Sequence, residues 1–384
     1  MTTIYWIRHA EAEGNLYRRC HGQYDSLITE NGKAQLNALR KRFEGVKIDA
    51  VYSSDLYRAR RTAAALAEPR GLTINFHKGL REISLGVWED LTWRDIERRQ
   101  PELYDTFSNR TWEFDIEGGE AMLAVMERGR AALRDIIARH PNQTVAVFSH
   151  GMITRAVVTD VSGLRLGQMN SLPHGDNTSV TMLEADTGTI TLKYYADNSH
   201  LGGLSTLASQ SWWRDGSDKA LEEGFWYREV DFRKEANIVE AYRRDAWMTI
   251  YGTLANYDAD MFLHEARRHS LACPRAVVFA MNGEEIAGIL QMDTEANLKP
   301  DSGHISFFYL EPHCRGKRLG VQMLGQAVSF YRSLRRSSVV LRVSDKNAHA
   351  LHVYKKYGFT QFGAEPSFFG ELLLLELDIK VPSI

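Results

Sequence analysis

Two short runs rich in β-branched and aromatic residues, Thr3 to Ile7 and Thr144 to Phe148, each stop at a histidine: Arg8-His9-Ala10-Glu11 follows the first and Ser149-His150-Gly151 the second. Both read as short strands. Ligands of open α/β sheets lie beyond the carboxyl ends of the strands, so two histidines at two strand ends predict one pocket. A neutral imidazole can attack phosphorus and carry the phosphoryl group, provided that arginines neutralise the equatorial oxygens and a second histidine stabilises the growing charge. Arg8 adjoins His9, and Arg58 follows the run Val51-Tyr52-Ser53 near the start of a helix, a natural anion site. Glu82, in Leu80-Arg81-Glu82-Ile83, is the best general acid; Glu89 and Glu120 are nearby carboxylates that compete for the role unless they are mere solvated charges.

An Arg-His pair alone is ordinary surface or core. Here Asp25 to Gly32, Tyr52 to Arg58, Leu80 to Trp88, Gly118-Gly119-Glu120 and Ser149-His150-Gly151 follow it in order, and from about Thr3 to about Thr181 the chain resembles the histidine phosphatase, or phosphoglycerate mutase-like, superfamily. That resemblance implies a three-layer α/β/α domain with His9 as nucleophile and Glu82 as acid. It implies that Arg8, Arg58 and His150 hold the phosphoryl group and that Asn15 and Gln23 line the pocket. Ala10 stands where the family often has glycine, at little consequence because its side chain need not touch phosphate. Mutases of the superfamily carry an arginine- and proline-rich insertion after the acid; Glu89 to Glu117 holds only Pro101 and no such run, so hydrolysis is expected. Arg60 and Arg61 are expected on a solvated helix face, and Trp88, Trp93, Tyr104, Trp112 and Phe114 in the core rather than in a lid.

The 384 residues exceed one such domain and predict a second. We expect residues 1–200 as the first domain, 201–224 as a linker rich in Gly and Ser, and 225–384 as the second; the Trp212-Trp213 pair would dock the linker rather than leave it a free tether. With 44% hydrophobic and 25% charged residues and a net charge of −2, the chain belongs to the globular class and has no basic arm for nucleic acid. The apolar run Leu372 to Leu375 is too short to span a bilayer, and the N-terminus enters a strand without a basic-then-apolar leader, so no secretory signal is expected. Cys20, Cys273 and Cys314 cannot all pair and lack metal-ligand spacing, which fits a reducing cytoplasm and a protein without metal. The partners expected are a small phosphomonoester and an amine, with neither nucleic acid nor membrane; homo-oligomerisation is left open.

In the second half a strand from Gly303 to Leu310 leads into Glu311-Pro312-His313-Cys314-Arg315-Gly316-Lys317-Arg318-Leu319-Gly320 and a helix from about Val321 to Leu334. A glycine-bearing turn that opens a helix presents backbone amides to a pyrophosphate. Asn347 then caps a helix that carries Leu351 and Tyr354 on one face and ends at Gly358. These features resemble the GNAT family of acetyl-coenzyme A dependent N-acetyltransferases, most clearly from Ile305 to Phe359. The resemblance implies a mixed α+β domain with a largely antiparallel central sheet, whose first strand is Phe225 to Asp231, followed by helices Lys234 to Tyr251 and Ala259 to His269 and a hairpin turning at Asn282-Gly283. It further implies acetyl-coenzyme A on Leu310, Arg315, Gly316, Lys317, Arg318, Leu319, Gly320 and Asn347, with Tyr354 protonating the departing thiolate and the backbone amide near Leu310 polarising the thioester. Arg318 replaces a glycine often found in that loop, a change tolerable if its φ is negative. Glu284, Glu285 or water remain as bases for the amine. The expected function is bifunctional, phosphomonoester hydrolysis through a phosphohistidine plus acetyl-coenzyme A dependent N-acetylation. The alternatives are a phosphatase regulated by an acetyl-coenzyme A sensor, or a phosphotransferase of the mutase kind.

Overall fold

The computed structural model describes residues 1–206, 224–296 and 298–383. Contacts divide the chain into two units, Met1–Ala220 with Val381–Ile384, and Leu221–Lys380.

The first unit is built on a six-stranded sheet: β1 (Thr2–Arg8), β2 (Ala50–Ser53), β3 (Ile74–Phe76), β4 (Thr144–Ser149), β5 (Val180–Asp186) and β6 (Thr189–Asp197), in the order β3-β2-β4-β1-β5-β6. The first four are parallel and the last two antiparallel. Alternate residues of β4 explain the three layers. Val145 and Val147 join a cluster with Leu133 and Ile136 of a helix at Met122–Arg139 and Val157 of another at Gly151–Val161. Ala146 and Phe148 join an opposite cluster with Leu39 of a helix at Glu30–Arg42 and Leu66 of one at Tyr57–Ala67. The Glu30–Arg42 helix starts at Thr29, whose hydroxyl caps the amide of Gly32 at 3.0 Å. Only glycine fits at 32, because a Cβ there would lie 2.2 Å from the carbonyl oxygen of Glu11.

The sheet registers Arg8 with Ser149 and Ser53 with Phe148, so the residues just past three parallel strand ends, His9, Ser54 and His150, share one edge. That is the placement expected from the two histidine-terminated runs.

The expected linker falls largely outside the described residues, Trp212-Trp213 included. Its described beginning is held on the first unit: Leu201 and Thr206 are buried, and the hydroxyls of Ser205 and Thr206 donate to Asp176 at 2.5 and 2.9 Å. Small hydroxyl residues that read as a tether serve equally well as a clamp on a buried carboxylate.

The second unit has a seven-stranded sheet, β7 (Trp226–Glu229), β8 (Val277–Asn282), β9 (Glu285–Asp293), β10 (Ser302–Leu310), β11 (Ser338–Ser344), β12 (Thr360–Ser367) and β13 (Gly370–Asp378), ordered β12-β13-β11-β10-β9-β8-β7. All pairs are antiparallel except β10 with β11. The hairpin turns at Gly283, in the left-handed region at φ 59°. Helices at Ala236–Tyr251 and Ala259–Ala272 supply Val239, Tyr242 and Ala266 to a cluster with Phe279, Ile289 and Tyr309, while a helix at Gly320–Ser333 packs on β9, β10 and β11. No helix among the described residues is long and apolar enough to cross a membrane.

Candidate active sites

His9 is buried, its Nδ1 lies 2.7 Å from the carbonyl oxygen of Ala10, and its amide donates to Ser149 at 2.9 Å. A carbonyl can only accept, so Nδ1 carries the proton and Nε2 the lone pair. Burial first, then the charges of Arg58 and Arg8, hold this imidazole well below its usual pKa and so neutral near pH 7. The ring of His150 lies 5.2 Å away, centroid to centroid. Its Nε2 meets the Ser54 hydroxyl at 2.8 Å, its buried Nδ1 has no partner among the described residues, and burial likewise depresses its pKa.

Arg58 is positioned by donation to the carbonyls of Gly22 (2.6 Å) and Tyr24 (3.1 Å), and Arg8 by donation to that of Gly175 (2.5 Å). The Nε of Arg8 is buried and unpartnered among the described residues. Two cations beside two neutral histidines, with unsatisfied donors among them, form a site short of an anion.

Three carboxylates competed for the acid role, and geometry separates them. Glu82 lines the cavity and accepts the amides of Met152 (3.0 Å) and Ile153 (3.1 Å) at the start of the Gly151–Val161 helix. Glu89 is spent on the amides of Gln23 and Leu85, and Glu120 on Arg128 and the amide of Ser84.

The cavity of about 150 Å³ is lined by Arg8, His9, Asn15, Arg58 and Glu82. Asn15 accepts from the amide of Ala12 and from Asn177, whose side chain also donates to the carbonyl of His9 at 3.0 Å. The side chain of Gln23 donates to the carbonyl of Glu82 and to Glu120 and accepts from Arg81. Arg60 lies over the Tyr57 ring and Arg61 near Glu68, both away from the cavity. Trp88 and Phe114 are core as expected, but Trp93, with Phe107, is half-buried and also faces the cavity. Arg18, His21 and His174, together with Arg19, which pairs with Asp90 at 2.8 Å, also line the cavity, and the sequence reading missed them. No strand end or helix period marks them; Arg18 even has a left-handed backbone, φ 55°.

In the second unit the parallel ladder of β10 and β11 runs only from Ser302 with Ser338 to Ile305 with Leu341, although β10 continues along β9 to Leu310 and β11 along β13 to Ser344. Beyond Ile305 the two strands part and leave a wedge between them. The Arg315–Gly320 loop follows at its end: Arg315 Nε donates to the carbonyl of Leu310 at 2.8 Å. The amides of Gly316 to Gly320 engage no main-chain acceptor among the described residues, as a pyrophosphate cradle requires.

Arg318 departs from expectation. Its φ is +60°, two residues after Gly316 at +75°. The loop alternates through the left-handed region, and an arginine holds a place that costs a side chain about 1–2 kcal/mol.

Asn347 caps the Ala348–Lys356 helix through the amide of Ala350 at 3.1 Å. Tyr354 packs on Phe359, centroids 5.2 Å apart, and burial raises its pKa. Its hydroxyl has no hydrogen-bond partner among the described residues. Glu284 and Glu285 are exposed at the hairpin tip.

A phosphoryl-binding α/β domain and an acyltransferase-like domain are thus the classes that the folds and sites define. Residues 4–198 match the histidine phosphatase superfamily (branch 1), and residues 238–359 match the acetyltransferase (GNAT) family. The chain belongs to the histidine phosphatase superfamily and carries a GNAT domain as well. It is 30% identical over 186 residues to phosphoserine phosphatase 1 of Hydrogenobacter thermophilus, covering 48% of this chain and 88% of that one. It is 32% identical over 164 residues to the probable phosphoglycerate mutase GpmB of Salmonella choleraesuis, covering 43% and 76%. Among solved structures it is similar to YhfR of Bacillus stearothermophilus, with a TM-score of 0.51 and 34% identity over 52% of this chain and 99% of that one.

Proposed function

We propose that the protein is a bifunctional enzyme, a phosphomonoesterase in residues 1–200 joined through 201–224 to an acetyl-coenzyme A dependent N-acetyltransferase in residues 225–384. The observation that carries the first activity is the tautomer of His9: with Nδ1 tied to Ala10, the lone pair of a neutral Nε2 is available to phosphorus. Nε2 attacks the phosphorus, the bond from phosphorus to the ester oxygen breaks, and Glu82 protonates that oxygen. Water then attacks the phosphohistidine, giving its proton to Glu82 and returning the electron pair to Nε2. Arg8, Arg58 and the Nδ1–H of His150 hold the three phosphoryl oxygens.

A cavity of about 150 Å³ is below the roughly 300–1,000 Å³ that encloses drug-sized ligands. It supports a small metabolite over a phosphoprotein. The lack of an insertion between Glu89 and Glu117 supports hydrolysis over transfer.

The second activity rests on the wedge and loop. Arg315 to Gly320 would hold the pyrophosphate and Asn347 the adjoining arm, and acetyl-coenzyme A supplies the acetyl group as a substrate. The amide at Leu310 polarises the carbonyl and the amine forms the new C–N bond as the C–S bond breaks; the proton that the amine nitrogen loses passes to water, while Tyr354 gives its proton to the thiolate and regains one from water. Three free cysteines support a cytoplasmic setting. Release of inorganic phosphate from a panel of phosphometabolites, with and without acetyl-coenzyme A, tests the first half, and calorimetric titration with acetyl-coenzyme A tests the second. Phosphate release that His9→Ala does not abolish refutes the first, and failure to bind acetyl-coenzyme A refutes the second.

A further inference from the structure

One short segment of the first unit, Gly175 to Thr178, holds three of the residues that line its cavity. The carbonyl of Gly175 accepts from Arg8 at 2.5 Å, and the side-chain amide of Asn177 donates to the carbonyl of His9 at 3.0 Å and to Asn15 at 3.3 Å. The main-chain amide of Thr178 donates to the same His9 carbonyl at 3.2 Å. With its own amide on Ser149 and its Nδ1 on Ala10, His9 is held on both sides of its Cα. The segment is not relaxed. Thr178 has φ 57°, a left-handed backbone that strains a β-branched residue and that persists only where the surroundings over-determine it.

The constraint comes from residues 198–206, which include the described beginning of the expected linker. The buried carboxylate of Asp176 accepts from the side chain of Asn198 at 3.2 Å, from the hydroxyl of Ser205 at 2.5 Å, and from the amide and hydroxyl of Thr206 at 3.2 and 2.9 Å. Hydrogen bonds to a carboxylate are stronger than neutral ones, so this hold is firm. His200 meets the Thr178 hydroxyl at 3.1 Å, and the Thr206 hydroxyl lies 3.0 Å from Oδ1 of Asn177. Thr206 is therefore two hydrogen bonds from the carbonyl of the nucleophile. A second route arrives from the other side: the carbonyl of Leu204 accepts from the buried side chain of Gln35 at 2.9 Å, whose oxygen accepts the amide of Glu11 at 2.8 Å. One stretch of chain brackets His9 to Glu11 and reaches the reaction through the residues that it holds.

We propose that residues 201–206 are a positioning strap for the phosphatase site, in which Thr206 sets Asn177 and, through it, the direction in which Nε2 of His9 meets phosphorus. The proposal rests on the phosphohistidine reading and deepens it. Attack needs the lone pair in line with the departing oxygen, and a misplacement of about 1 Å can cost ~10²-fold in rate. A loosened His9 backbone should accordingly slow the chemistry and leave anion binding by Arg8 and Arg58 as it was. The start of the connection between the two units is by this account a working part of the first.

The test uses the full chain, p-nitrophenyl phosphate as substrate, and two inhibitors that read different parts of the site. Inorganic phosphate needs the arginines alone, whereas vanadate mimics the transition state and takes Nε2 as an axial ligand. Thr206→Val removes the hydroxyl and keeps the shape: kcat should fall ~10-fold with KM within about twofold, and the inhibition constant should rise ~10-fold for vanadate and stay level for phosphate. Thr206→Ser, which returns the hydroxyl, should restore most of the rate. Asn177→Leu should cost ~10²-fold, and Thr206→Val added to it should cost little more, because both act along one chain of hydrogen bonds. If thermal unfolding shows that Thr206→Val does not fold, Ser205→Ala, which removes another donor to Asp176, takes its place in the same measurements. Unchanged kcat, equal losses of vanadate and phosphate affinity, or fully multiplicative effects in the double variant overturn the proposal. Turnover that survives His9→Ala would overturn the phosphohistidine reading beneath it, and the strap with it.

Discussion

Replacing Glu82 by Gln separates chemistry from architecture, because the structure assigns two magnitudes to one side chain. As proton donor to the leaving oxygen it should be worth ~10²–10⁴ in rate, about 2.7–5.4 kcal/mol at about 1.36 kcal/mol per decade. As a carboxylate at a helix N-terminus it accepts the amides of Met152 and Ile153. A glutamine keeps one acceptor oxygen but turns an NH₂ toward an amide and removes the charge, so stability should fall by about 1–3 kcal/mol. Rates must therefore be taken well below the unfolding transition, which thermal unfolding of both proteins locates. With a series of aryl and alkyl phosphates, Glu82→Gln should lower kcat by ~10²-fold or more for alkyl esters and much less for an activated aryl ester, whose oxygen leaves without a proton. The slope of log kcat against leaving-group pKa should steepen. A loss equal across the series would refute the acid assignment and leave Glu82 as a helix cap.

The other predictions address single features. His9→Ala should abolish phosphate release and acid-labile labelling while acetyl-coenzyme A still binds, as phosphate assays and radiolabelled substrate would show. Gly316→Asp meets no atom within 4 Å and aspartate tolerates a positive φ comparatively well, so the ~10-fold or greater loss of acetyl-coenzyme A affinity expected by calorimetry reads charge rather than a clash; unchanged affinity would remove the loop from the site. Tyr354→Phe should leave that affinity intact and slow acetyl transfer, whereas full transferase activity would reduce Tyr354 to packing against Phe359. His9 and His150 have folded pKa values below the ordinary 6.5, as has His304, at about 4. For such groups stability is complete above pH 6.5 and is lost as pH falls from there through the depressed values, since the unfolded chain takes up protons first. Urea midpoints should accordingly be level from pH 8 to 7 and decline below 6.5, and a midpoint that rises on acidification would contradict neutral buried imidazoles.

How much of this was legible in the sequence depends on whether a signal was local. Strand ends, caps and turns are written within a few residues, so the ends of β1 and β4, the Asn347 cap and the Gly283 hairpin could be placed from the chain alone. The choice of Glu82 over Glu89 and Glu120 needed only that one carboxylate face the cavity, yet sequence order could not tell which two would be consumed by Gln23, Leu85 and Arg128. Gln23 was drawn into the site by a family pattern, and sequence order could not show that its side chain meets Glu120 and Arg81, 97 and 58 residues away. Arg18, Arg19, His21 and His174, which also line the cavity, were invisible for the same reason. Arg318 shows the opposite case: a glycine missing from a loop reads as a weakened motif, but the backbone keeps its left-handed turn and the side chain bears the strain. A conformation retained against local preference is held by what surrounds it, and beside Arg318 the loop is tied down by Arg315, whose Nε donates to the carbonyl of Leu310.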